Sequence, residues 1–83
     1  MTTIITQNQP FATFDLGLAS ALISLGYKLL DLDKSNPRKA QFLFIPEDSL
    51  EEAVESYWSD HLEVNPRNYF DNIKMLKNRI YTN

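Results

Sequence analysis

Hydrophobic residues are spaced differently in successive parts of the chain. They form a dense run at 16–25, two short runs at 27–33 and 40–46, and two sparser sets at 50–61 and 69–80. The dense run predicts a helix that begins near Thr13 or Asp15, both good N-cap types, with Phe14 helping to staple the entry. It should end at Gly26, which suits a left-handed C′ position. On a helical wheel Leu16, Leu18, Ala19, Ala21, Leu22, Ile23 and Leu25 cover well over half the circumference. Gly17, Ser20 and Ser24 are left as a narrow strip of small residues. A helix this apolar is expected to be buried on two sides, against a sheet and against another helix or a second subunit.

"YKLLDLD" (27–33) and "AQFLFIP" (40–46) read as strands, rich in aromatic and aliphatic residues and flanked by breakers. Asn36-Pro37 in "KSNPRK" signals a turn between them, which makes an antiparallel hairpin. Phe42 and Phe44 share one face, and Leu43 and Ile45 share the other. A two-stranded ribbon with two apolar faces is not stable alone. The N-terminal tail or a partner chain is expected to cover the second face or the free edge.

A second helix should open at Asp48 or Ser49, where "SLEE" has the form of a capping box. Leu50, Ala53, Val54, Tyr57, Trp58 and His61 fall on one of its faces, and Glu51, Glu52 and Glu55 on another. A third helix should open at Asn65-Pro66, an N-cap followed by proline at N1. Tyr69, Ile73, Leu76 and Ile80 form its apolar stripe, with Phe70 beside it. Arg67, Lys74, Lys77 and Tyr81 line the next strip. The pattern predicts an α+β fold in one small domain, α-β-β-α-α, with a two-stranded antiparallel hairpin packed on helices. Residues 1–10 are expected to be a flexible tail or a short edge strand ahead of a domain spanning 11–83.

Length adds a constraint. Eighty-three residues suffice for one domain, and a chain of this size buries only about 60% of its unfolded surface. The 43% hydrophobic content and ten aromatic residues are adequate for a core. The absence of cysteine excludes disulfides and thiolate metal sites and fits a reducing compartment. "MTTIITQNQP" lacks the basic residues and apolar run of a signal peptide. The greasiest stretch, "LGLASALISLG", is shorter than the ~20 residues that cross a bilayer. A soluble, cytoplasmic protein is the expectation.

The net charge is −3, and its distribution is uneven. Residues 1–46 carry +1, residues 47–64 carry seven acidic and no Lys or Arg side chains, and residues 65–83 carry +3. Either the last two segments neutralise each other, or each presents a face to a partner.

Several side-chain groups invite a chemical reading. Arg67, Lys74, Lys77 and Tyr81 combine phosphate-neutralising cations with a ring that stacks on bases, and Arg38 and Lys39 on the hairpin turn extend the set. Against this stand the acidic balance and the ordinary occurrence of a solvated basic face. Glu51 and Glu55, with Tyr57 and Trp58, are the candidate protein-binding residues. The acidic helix also permits mimicry of nucleic acid, although a mimic usually needs more charge over a larger surface. Within the Tyr57-Trp58 pair at least one ring is expected to be buried; Trp58 at the surface with Phe11 or Tyr81 nearby would mark an interface, and burial is the expected outcome. Asp31 and Asp33 share a strand face, as metal-binding nuclease carboxylates do, but no third ligand follows at a telling spacing. His61 reads as a boundary residue or a helix C-terminal cation. There is no Gly-rich phosphate loop, no Cys/His pair and no nucleophile elbow. No catalytic residue, metal or cofactor is therefore expected.

The stretches "TFDLGLASALISLGYKLL" (13–30), "FLF" (42–44), "EDSLEEAVESYW" (47–58) and "YFDNIKMLKNRIY" (69–81) also carry a resemblance in their order and spacing. They resemble a family of small prokaryotic and phage proteins, a domain of unknown function. The turn "DKSNPRK" looks longer than the tight turn of that family. The resemblance implies an α-β-β-α-α domain, often encoded near mobile elements, and brings no catalytic residues with it. The leading expectation is a non-catalytic binding or adaptor module that acts by protein–protein contact as a homodimer. The alternative is a small nucleic-acid-binding accessory protein that uses the basic C-terminal helix.

Overall fold

The computed structural model describes residues 9–82. Six elements follow one another: β1 (Phe11–Thr13), α1 (Leu16–Ser24), β2 (Leu29–Asp33), β3 (Gln41–Phe44), α2 (Leu50–Trp58) and α3 (Pro66–Tyr81). The fold is α+β, with three helices and one antiparallel sheet.

The sheet has three strands in the order β1-β3-β2, one more than the sequence predicts. The additional strand is the short "FAT" segment, which pairs Phe11 with Phe44 and Thr13 with Phe42. It occupies the edge of β3 that a two-stranded hairpin would leave open. Of residues 1–10, read as a tail or short edge strand, 1–8 lie outside the described residues.

With β3 central, Phe42 and Phe44 are almost fully buried. Each buried phenylalanine contributes roughly 1.5–3 kcal/mol through lost apolar surface. On the other flank Leu29 pairs with Phe44 and Leu32 with Phe42. These partners are three residues apart on β2 but two apart on β3. A bulge between Leu29 and Asp31 absorbs the difference and turns Leu30 out to solvent. The imperfect alternation of "LLDLD" thus has a structural outcome: both Leu29 and Leu32 face the core.

Local chemistry sets the limits of α1. The Asp15 side chain accepts from the Leu18 amide at 2.7 Å and caps the first turn. At the other end Gly26 has φ +103, its amide donates to the Ile23 carbonyl, and the Tyr27 amide donates to the Leu22 carbonyl. These two bonds form a Schellman motif. Both α2 and α3 pack on α1, and the contact with α3 is the more extensive. The strip of small residues forms part of this α1–α3 contact. Ser20 is fully buried and bonds the Leu16 carbonyl, while Asn72 on α3 donates to the Ser24 hydroxyl at 2.9 Å.

Two expectations about α2 are corrected. Ser49 is the N-cap residue but its side chain makes no capping bond. Its hydroxyl is hydrogen-bonded to the Tyr27 hydroxyl, so no capping box forms there. Trp58 is 59% exposed, because the helix ends there and the core-facing positions are taken by Leu50 and Ala53, with Val54 and Tyr57 half-buried. α3 starts as the sequence predicts: Asn65 accepts from the Asn68 amide and Pro66 is the first helical residue. Leu76 is its fully buried anchor. At its end the Lys34 ammonium donates to the Arg79 and Thr82 carbonyls, a cation placed on the negative pole of the helix.

Candidate functional site

The predicted site residues fall on two different surfaces. On α3, Arg67, Lys74, Lys77 and Tyr81 are all exposed, and the structure adds Phe70 to their strip. The Phe70 ring is 59% exposed, with the Lys74 ammonium 5.1 Å from its centroid. Tyr81 is 79% exposed. Arg38 and Lys39 are exposed on the turn after β2, but Lys39 lies over the Phe14 ring at 5.2 Å, beside the start of α1. Lys34 is the turn residue that reaches α3.

On α2, Glu51, Glu52 and Glu55 are exposed on the outer face. Trp58 extends this face, and its ring meets Tyr57 edge-to-face, 5.0 Å between centroids. α2 and α3 approach each other at Tyr57 and Tyr69, yet they do not form a packed pair as each does with α1. The acidic helix is therefore not packed along the basic one.

The remaining candidates have local structural roles. Asp33 accepts from the Ser35 amide, which holds its carboxyl below the usual range, and Asp31 accepts from the Leu32 amide at the bulge. Among the described residues no group of three or more His, Cys, Asp or Glu side chains is placed to hold a metal ion. His61 is exposed just beyond α2, with Nδ1 3.0 Å from the Ser59 hydroxyl. No helix among the described residues is long and apolar enough to cross a membrane.

A site that the sequence reading did not contain lies between these surfaces. An open cleft of about 270 Å³ is lined by Ala21, Tyr57, Asp60, Leu62, Val64 and Tyr69. Gly17 makes room for its phenols. A Cβ at position 17 would collide with the Tyr57 hydroxyl and would lie 3.2 Å from both the Tyr69 hydroxyl and Asp15 Oδ1. Partial burial, then the charge of Asp15 and the Tyr69 hydroxyl, push the Tyr57 pKa up to about 12. The end of α2 supplies part of the lining. There Asp60 adopts φ 66, and the His61 amide donates to the Ser56 carbonyl at 2.8 Å. Gly17, in the small-residue strip of α1, was the sequence signal that could have pointed here.

The family model for Domain of unknown function (DUF5659) matches residues 8–82. The chain belongs to the DUF5659 family. No curated protein and no solved structure matches it. This agrees with the resemblance in the sequence, which pointed to a domain of unknown function.

Proposed function

We propose that this DUF5659 domain is a non-catalytic binding module that acts by protein–protein contact, as a homodimer, through the α2 surface of Glu51, Glu55, Tyr57 and Trp58. The observation that carries this reading is Trp58, 59% exposed at the end of an acidic helix. An exposed indole braced by a second ring is the kind of anchor that dominates protein interfaces. The acidic and basic helices both pack on α1 rather than on each other. One copy can therefore offer its acidic surface to the basic surface of another.

Trp58 is the only tryptophan in the chain, so its emission reports on this surface alone. Sedimentation and Trp58 emission, followed over a concentration series, should show association with a blue shift. Trp58→Ala should weaken association by more than tenfold, the scale of an interface hot spot at about 2 kcal/mol. A monomer at high micromolar concentration, with unchanged emission, would remove the homodimer.

A second reading is favoured by a separate observation, the exposed alternation of cations and rings on α3. Phe70 and Tyr81 offer stacking faces, while Arg67, Lys74 and Lys77 offer phosphate contacts. Labelled single- and double-stranded oligonucleotides, followed by polarisation, test it. Salt-sensitive binding lost in Lys74→Glu/Lys77→Glu supports it, and no binding at low salt dismisses it.

A further inference from the structure

We infer that the cleft between the end of α2 and α3 receives the cationic side chain of a protein partner, an arginine or lysine whose stem lies on Leu62 and Val64 and whose head meets Asp60 and the two tyrosines. The inference deepens the protein-contact reading and rests on it.

Size is the first argument. At about 270 Å³ the cleft lies below the ~300–1,000 Å³ typical of pockets for drug-sized ligands, so it suits one side chain better than a cofactor. The lining supplies the second. Leu62 and Val64, both half-buried, offer apolar surface for an alkyl stem, and long basic side chains bury their stems while keeping the charged head in polar surroundings. Tyr57, Tyr69 and Asp60 are also in the lining, where phenol rings attract a cation and a carboxylate can accept a charge-assisted hydrogen bond from it. Charge provides the third. Asp60 is the one charged residue among the six that line the cleft, and none of the six is basic. Asp15, behind the Tyr57 hydroxyl, adds to the negative potential that already disfavours a tyrosinate there. An anion is repelled from such a site and a cation is drawn to it.

Asp60 allows a clean test. It sits at positive φ, which asparagine tolerates as well as aspartate does. Asp60→Asn should keep the backbone and remove only the charge. The protein would be titrated with Nα-acetyl-arginine methylamide, and with the citrulline analogue as a neutral isostere, by amide chemical-shift mapping. The arginine probe should shift the amides of Ala21, Tyr57, Asp60, Leu62, Val64 and Tyr69. Citrulline should not, and Asp60→Asn should weaken the response by tenfold or more. Absence of shifts with arginine, equal shifts with citrulline, or unchanged affinity in Asp60→Asn would each overturn the inference. The probe does not require Trp58, so the two readings fail separately. Association that is lost in Trp58→Ala, without arginine shifts in the cleft, keeps the protein-contact reading and ends this one.

Discussion

Tyr57 shows how much one residue's surroundings decide. Its ring braces Trp58, its hydroxyl fills the space left by Gly17, and its pKa is raised from 10.0 to about 12. Both burial and the neighbouring Asp15 carboxylate disfavour the tyrosinate. The consequence for stability has a definite sign. Between the unfolded value near 10 and the folded value near 12, the native chain holds a proton that the unfolded chain has released. Stability from this group is complete below pH 10 and lost as pH rises through that interval. Tyrosinate absorbance should therefore show one of the four tyrosines ionising late. The denaturant midpoint should fall more steeply above pH 10 in the native sequence than in Tyr57→Phe. Equal slopes would mean that Tyr57 titrates as a solvated phenol.

Elements bounded by their own capping chemistry are the ones the sequence makes legible. Asp15, Gly26 and Asn65-Pro66 act on backbone groups a few residues away, so their effect is written locally. Gly26 allows a direct check. Its φ of +103 is strained for any residue with a side chain, while a Cβ there would meet nothing within 4 Å. Gly26→Ala should consequently cost about 1–2 kcal/mol through backbone conformation alone, measured by chemical denaturation. A neutral effect would mean that the Schellman turn relaxes. What the sequence concealed depends on distant partners. A three-residue strand such as Phe11–Thr13 carries no periodicity of its own and exists because β3 offers an open edge. The exposure of Trp58 follows from where α2 stops, which a wheel of apolar positions does not mark. The Ser49 hydroxyl reads as a cap until Tyr27, on the far side of the hairpin in sequence, takes it. The cleft joins α1, α2, the segment after α2, and α3, so no single stretch announces it.

At the scale of the whole molecule, α1 determines how the charges are arranged. By packing on both α2 and α3, it leaves the glutamates of one helix and the lysines of the other without a shared packed seam. Two opposite surfaces on one chain lead to a prediction that separates self-association from nucleic-acid binding. Glu51→Lys/Glu55→Lys makes the α2 surface repel a basic partner surface, and Lys74→Glu/Lys77→Glu makes the α3 surface repel an acidic one. If acidic α2 of one copy meets basic α3 of another, each variant alone should be monomeric by sedimentation. An equimolar mixture should recover association, because each variant retains one native surface and its reversed surface matches the other's. Added salt should weaken the recovered complex, since exposed charges more than about 10 Å apart are screened at 0.1 M ionic strength. If nucleic acid is the partner, only the α3 variant should lose function, and mixing should restore nothing. Two variants that associate as well as the native chain would show that the contact is apolar, centred on Trp58 rather than on the charges.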